Sequence, residues 1–429
     1  MNAQHTLLKS NTIQNECQIG IIKSRLQQSG VFGIAEIASE ILQVAKHQRT
    51  TRLYPYDRYL LNGSSAKSTL VDEGDKHDCI VWCTNHYLGL NRHPDVIKAS
   101  SEAVKKYGTG SGTSAMSGGH CELHRKLEQK IGAMLDRAVV LYPTGFTANS
   151  GSIPALFGSR DLILFDRECH ASIIEGVQIS GAKAIPFKHN NVEDLTKKLL
   201  RFSRGRNNVL VVCESAYSMS GNIAPLQEIC ELKKKSTTPF YLLVDEAHTF
   251  GIYGDHGKGL CAKLGILPQV DFITGTLSKA TASLAGFLAC STAFWQLVKI
   301  SARSYLFQAA MSPADAAAAL ASLNIISNDC RPRARVHSNN KYMRQKLREA
   351  GFDLRSSESP IIPIYVGNTE RLNSISKQLF ENGIFTVSVG YPAVKESQCR
   401  LRFVVNATHS RADIDITVAR LADAFRAYV

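Results

Sequence analysis

The sequence predicts an α/β protein, with a large domain on a mostly parallel central sheet followed by a smaller α+β C-terminal domain. Three observations predict it. Between about residues 80 and 320, short apolar runs alternate with helix-length amphipathic segments, the pattern of a parallel sheet covered on both faces. After the Ala-rich stretch 314–326 the alternation changes to helices with fewer, more scattered strands. Chemically capable side chains also gather just past the ends of several apolar runs, the edge at which open α/β sheets bind ligands.

The elements follow in order. Ile21, Ile22 and Leu26, then Ile34, Ile37, Ile41 and Val44, recur at helical spacing with breaks at Gly30 and Gly33, which predicts an N-terminal helical arm. Asn62-Gly63-Ser64-Ser65 and the polar stretch to His77 read as a turn or loop before a strand at 79–84. Strands are then predicted at 138–141, 162–165, 184–187, 209–213, 241–244 and 272–274, with helices such as 121–134 and 225–235 between them. Beyond 326 the expectation is a helix at 334–350, a strand at 361–365, a helix at 370–382, strands at 386–389 and 400–404, and a closing helix at 413–428. The expected division is residues 1–78 as a helical arm and hairpin segment, 79–320 as the large domain and 321–429 as the small one.

Composition narrows the function. A formal charge of +13 suits an anionic partner, but the basic residues are scattered. The densest runs, Lys233-Lys234-Lys235 and Arg331-Pro332-Arg333-Ala334-Arg335, are short and carry no nucleic-acid recognition motif, so no nucleic acid is expected. Eleven cysteines without a C-x-x-C pair argue against both a disulfide framework and a zinc site, and no metal is expected. The N-terminus lacks a signal-peptide pattern, and no apolar run reaches the roughly 18 residues of a membrane span. A cytoplasmic setting is the expectation.

The chemistry concentrates at two apolar runs. One ends in Val244-Asp245-Glu246-Ala247-His248 and the other in Gly275-Thr276-Leu277-Ser278-Lys279. A carboxylate past one strand and a lysine past its neighbour can face one crevice, and pyridoxal 5′-phosphate (PLP) needs both: an amine for the imine, and an anion to keep its pyridine nitrogen protonated. Taken singly, Lys279 would read as a solvated surface lysine. Gly145-Phe146-Thr147-Ala148-Asn149 follows a strand and opens a helix, an arrangement suited to a phosphate. His170, also between strand and helix, can stack on an aromatic cofactor or simply flank a helix start.

Together these residues resemble the α-oxoamine synthases of the fold-type I PLP enzymes. The resemblance runs from about Asn85 to Thr408, through Asn85-His86-Tyr87-Leu88-Gly89-Leu90, Gly108-Thr109-Gly110-Ser111-Gly112, Thr144-Gly145-Phe146, His170-Ala171-Ser172, Ser218-Met219-Ser220-Gly221, both strand-end motifs above, and Arg402. Within the family the chain is most similar to bacterial serine palmitoyltransferases, at stretches such as Thr281-Ala282-Ser283-Leu284-Ala285-Gly286-Phe287 and Gly351-Phe352-Asp353-Leu354. It also resembles synthases of aminoketone quorum-sensing signals, at His189-Asn190-Asn191 and Gly221-Asn222-Ile223-Ala224-Pro225-Leu226.

The resemblance implies roles. Lys279 would carry the cofactor, Asp245 pair with the pyridine nitrogen, His248 contact the ring hydroxyl and His170 stack on the ring. Gly145, Phe146, Ser218, Thr276 and Ser278 would surround the phosphate and ring edge, Asn85 and Tyr87 line the substrate side, and Arg402 take the amino-acid carboxylate. It implies a homodimer that condenses a small amino acid with an acyl thioester, on CoA or acyl carrier protein, losing CO2. Serine with a long-chain acyl-CoA, as in sphingoid-base synthesis, is the first expectation. An autoinducer-type aminoketone synthase, or an activity like that of 5-aminolevulinate or 8-amino-7-oxononanoate synthase, is the alternative. An aldolase or aminotransferase on the same scaffold, or a catalytically silent subunit, are further readings. Two departures stand out: Ala115-Met116, where relatives carry a bulkier or basic residue, and Gln308-Ala309-Ala310, where many carry a Ser/Thr pair.

Overall fold

The computed structural model describes Gly30 and residues 33–51, 53–54, 56–391 and 394–428. The part of the expected arm that holds Ile21, Ile22 and Leu26 lies outside the described residues. Its second part is the helix Ile34–Thr50, which buries Ile37, Val44 and Ala45. The chain forms two compact units, Asn85–His337 and a second that joins the segment up to Thr84 with Ser338–Val429. The sequence-based boundaries were after 78 and 320. The N-terminal strands group with the C-terminal segment because Ile384–Phe385 pairs in parallel with Asp75–Val81.

Asn85–His337 is built on a seven-stranded sheet. Its strands lie in the spatial order Ala138–Tyr142, Gly286–Cys290, Phe272–Thr276, Tyr241–Asp245, Val209–Glu214, Leu162–Asp166 and Lys183–Phe187. Gly286–Cys290 runs antiparallel to both neighbours, and the remaining pairings are parallel. The strands read from the sequence are present. Gly286–Cys290 was not foreseen, although it is an apolar run as fully buried as Val209–Glu214.

Both faces of this sheet are covered, which is why its strands are continuous apolar runs rather than alternating ones. Val140, Ile163, Leu210, Val212, Leu243 and Leu288 pack with Ile153, Ile173 and Val177 from the helices Gly145–Leu156 and Ala171–Ser180. Parallel pairing brings the ends of several strands to one edge, where Asp166, Glu214, Asp245 and Thr276 are the last strand residues. The Ala-rich helix Pro313–Asn328 packs against Pro94–Tyr107 and Glu122–Leu135, and its buried Ala316 and Ala319 permit close approach.

The second unit contains two small sheets. One is antiparallel, Ile361–Tyr365, Arg400–Val404 and Val387–Val389, much as predicted. The other orders Tyr59–Leu60, Lys67–Asp72, Asp75–Val81 and Ile384–Phe385. The stretch up to His77, read as a turn or loop within an expected hairpin segment, is largely a hairpin: Lys67–Asp72 buries Ser68, Leu70, Val71 and Asp72 despite its polar composition. The core of this unit joins Trp82, Ile362, Leu401 and Phe403 to Leu379 and Leu421 of the helices Thr369–Glu381 and Arg411–Arg426. No helix among the described residues is long and apolar enough to cross a membrane.

Candidate active site

At the C-terminal edge of the seven-stranded sheet lies a cavity of about 260 Å³. Tyr241–Asp245 and Phe272–Thr276 are parallel neighbours, so Asp245 at the end of one and Lys279, three residues past the other, both line it. The Lys279 Nζ lies 2.8 Å from Nε2 of His248, and Nδ1 of the same imidazole lies 2.7 Å from the buried Tyr87 hydroxyl. This chain holds the amine on one side of the cavity.

Asp245 is held by two donors. Its Oδ2 accepts from Asn149 Nδ2 at 2.7 Å, and its Oδ1 accepts from the Ala247 amide at 2.8 Å. Asn149 also donates to the Ser172 hydroxyl at 3.0 Å, and that hydroxyl lies 2.8 Å from Nδ1 of His170. The Ser172 amide donates to the same Nδ1 at 3.2 Å, which leaves the ring proton on Nε2. One hydrogen-bonded path therefore links Asp245, Asn149, Ser172 and His170. Burial holds the His170 imidazole below its ordinary pKa, opposed by Asp245 and aided by Lys279.

Glu214 is in register with Asp245 on the adjacent strand and lines the same cavity. Its Oε1 accepts the backbone N–H of His170. Burial, then the neighbouring Asp245, push its carboxyl well above the usual range. Glu246, next to Asp245 in sequence, has a different task. Its carboxylate accepts from the amides of Leu260 and Cys261 at 2.8 and 2.7 Å, anchoring the start of a short helix.

The far end of the cavity suits an anion. Helix Gly145–Leu156 starts there, capped by the Thr144 side chain, which accepts from the Thr147 amide at 3.0 Å. A Cβ on Gly145 would come within 2.6 Å of Thr276 Cβ, so glycine is what lets the helix start approach that strand end. The hydroxyls of Thr276 and Ser278 lie 2.8 Å apart on the same wall. A helix N-terminus with hydroxyl donors fits a phosphate, and the buried carboxylate and facing amine fit a pyridinium aldehyde, so these residues fit PLP.

Eight of the residues singled out in the sequence line this cavity: Gly145, Phe146, His170, Asp245, His248, Thr276, Ser278 and Lys279. Tyr87 joins through His248, and the Asn85 carbonyl accepts the Tyr87 amide at 2.8 Å. Ser218 lies in the loop closed by the bridge between Ala216 and Ile223, and is not among the cavity-lining residues. Arg402 belongs to the other unit, buried in Arg400–Val404, where its carbonyl accepts from the Thr386 hydroxyl at 2.6 Å. Sequence reasoning gave no role to Asn149, Ser172 or Glu214. The first two were within reach, because each is a polar residue at the buried start of a helix that opens on a singled-out motif.

The two departures meet. Ala115 and Gln308-Ala309-Ala310 line one small cavity with His120, Tyr142 and Tyr305, and the Ala310 amide donates to the Thr113 carbonyl at 3.0 Å. Small residues in one segment are thus matched by small residues in the other.

The sequence model described as "Aminotransferase class I and II" matches residues 77–421. The chain is 36% identical over 376 residues to a serine palmitoyltransferase of Bacteroides ovatus, covering 87% of this chain and 94% of that one. It is also 36% identical over 369 residues to an 8-amino-7-oxononanoate synthase of Thermosipho melanesiensis, covering 86% and 93%. A lysine-to-alanine variant of serine palmitoyltransferase from S. paucimobilis, solved with a PLP–myriocin aldimine, superposes with a TM-score of 0.86 at 30% identity, covering 92% of this chain and 99% of that one. The chain therefore belongs to the class I and II aminotransferase family, in its α-oxoamine synthase branch, and is a PLP-dependent acyltransferase.

Proposed function

We propose that this chain condenses serine with a long-chain acyl-CoA to give an aminoketone, the first step toward a sphingoid base. The observation that carries the chemistry is the pair of Lys279, held against His248, and Asp245, held by Asn149 and Ala247, on two walls of one cavity. Serine is favoured as the amino acid because bacterial serine palmitoyltransferases match the chain over most of its length in both sequence and structure.

PLP, when bound, supplies an electron sink for negative charge at the amino acid's α-carbon. Lys279 would be the amine that carries it, and its free amine would be the base that takes the substrate's α-proton and later returns one. Asp245 keeps the pyridine nitrogen protonated, and the two hydrogen bonds it accepts hold it in place. The amides of Gly145 and Phe146 at the helix start, with the Thr276 and Ser278 hydroxyls, hold the phosphate. His170 would stack on the ring with Nε2–H available to the substrate carboxylate, while His248 and Ser218 would take the ring edge. Asn85 and Tyr87 would line the substrate side. The α-carbon then attacks the thioester carbonyl, the thiolate leaves, CO2 is lost, and the α-carbon is reprotonated.

The equal identity to an 8-amino-7-oxononanoate synthase favours a second reading, in which alanine replaces serine. Mass spectrometry of products formed from mixed amino acids and acyl-CoAs separates the two. A product carrying the serine side chain and a long acyl chain is expected, and formation of only an alanine-derived product would overturn the choice.

We further read the chain as a homodimer. The exposed Phe307 and Met116, at 78% and 64% accessibility, support it. Sedimentation of an active monomer would contradict it. The described cysteines are free thiols, which suits a reducing cytoplasm.

A further inference from the structure

Two sequence stretches that stand apart from the cavity residues, His189-Asn190-Asn191 and Gly221-Asn222-Ile223, touch in the structure. What joins them is a carboxylate. Asp166, fully buried at the end of Leu162–Asp166, accepts the amides of Glu168 and Asn190, each at 2.8 Å. It also accepts from Nδ1 of His189, at 3.0 and 3.2 Å to its two oxygens. With Nδ1 donating, Nε2 lies 3.3 Å from Asn222 Nδ2 and 3.6 Å from Glu168 Oε2, and the Tyr217 ring packs edge-on at 4.4 Å. Asn190 sits at φ 51°, a left-handed conformation that asparagine tolerates, and its side-chain amide donates to the Ile223 carbonyl at 3.0 Å.

The segment held this way closes on itself. The Tyr217 amide donates to the Asn222 carbonyl and the Gly221 amide to the Tyr217 carbonyl, both at 2.9 Å, and Ala216 bridges Ile223. Ser218 lies at its bend. Burial pushes the Asp166 carboxyl up, but His189 and the two amides outweigh it and hold the group below its ordinary pKa, so the anchor is an anion. A buried carboxylate with this many donors is a fixed point, and the C-terminal end of the Ser218 loop is tied to it twice, Asn222 through His189 and Ile223 through Asn190, while Tyr217 at the other end packs on the His189 ring.

We propose that Asp166, His189 and Asn190 form a pin that positions Ser218 at the cofactor ring, making them positioning residues for the condensation. The inference rests on the assignment of Ser218 to the ring edge made above.

The test uses the full chain with Asn190→Gly, His189→Ala and Ser218→Ala, singly, and Ser218→Ala combined with each of the other two. Asn190→Gly keeps the left-handed backbone and removes only the tie to Ile223, so it is the variant least exposed to folding defects. Amide hydrogen exchange at Tyr217 and Gly221 in the cofactor-free protein is expected to speed up by about threefold to tenfold in Asn190→Gly and His189→Ala, the range that one lost hydrogen bond supplies. Ser218→Ala should leave that exchange unchanged. PLP affinity, read by absorbance, should weaken in all three single variants, with no added loss in the combinations, because the pin acts through Ser218. Unchanged exchange, or additive losses, would overturn the pin. If Ser218→Ala alone leaves PLP affinity intact, the ring-edge assignment fails and takes the inference with it, an outcome visible in that single variant.

Discussion

The Tyr87 hydroxyl and the Lys279 amine bind opposite nitrogens of one imidazole, at 2.7 and 2.8 Å from His248. The three residues come from different parts of the chain, and the ring passes any change at Tyr87 to the amine. Tyr87→Phe removes one end of this chain while keeping the ring. It is expected to lower kcat by at least about tenfold, with PLP affinity changed by less than about threefold, since the lost bond orients His248 rather than holding the cofactor. Steady-state kinetics and PLP titration check both, and an unchanged kcat would detach Tyr87 from the reaction.

Asn149 donates to Asp245 and to Ser172, so one substitution cuts the path between Asp245 and His170 at its middle. Asn149→Ala leaves the buried Asp245 oxygen and the Ser172 hydroxyl each short of a donor, at about 1–3 kcal/mol apiece. PLP should dissociate at least about tenfold faster than from the wild type, measured as loss of the absorbance band roughly at 410–430 nm. That band should be absent altogether in Lys279→Ala.

Glu214 titrates well above an ordinary carboxyl because burial and Asp245 disfavour its charge. A folded-state pKa above the unfolded one means its contribution to stability is whole below about 4.3 and is lost as pH rises toward the raised value. Glu214→Gln keeps an acceptor for the His170 amide without the titration. Relative to the wild type, the cofactor-free variant should gain thermal stability steadily as pH rises from about 4 to 8. Equal slopes across that range would show that Glu214 is ionised in the folded protein.

His409 behaves in the opposite sense. Burial lowers its pKa to about 4, and its ring stacks on Trp82 at 3.8 Å between centroids. Its Nδ1 accepts the Asn406 amide and its Nε2 donates to the Val81 carbonyl, both at 3.1 Å, so a second proton has no acceptor. A depressed pKa gives stability that is whole above about 6.5 and is lost as pH falls toward 4, on the order of 3 kcal/mol over that window. Denaturant unfolding followed by tryptophan emission at pH 7 and pH 4 should show this loss in the wild type and much less of it in His409→Gln.

The strands of the large sheet and the motifs at their ends were legible because both depend on local order: apolar runs bounded by turn residues, and side chains placed a fixed distance past a strand. Lys279, Asp245, His170 and His248 were read that way, and the structure brings them to one cavity. Where local pattern is absent, reading failed. Lys67–Asp72 is polar in composition and shows no strand alternation, and it is a strand through pairing with Asp75–Val81, a partner that one-dimensional text does not name.

By itself, then, the sequence pointed to the cofactor through its resemblance to a family, carried by ordered motifs such as those holding Asp245 and Lys279. Only the tertiary structure decided what holds them. Asn149 reaches Asp245 across 96 residues, Glu214 reaches His170 across 44, and Tyr87 reaches His248 across 161. The physical reason is the same in each case. A hydrogen bond needs two atoms within about 3 Å, and the packing of strands, helices and turns far apart in sequence is what creates that proximity.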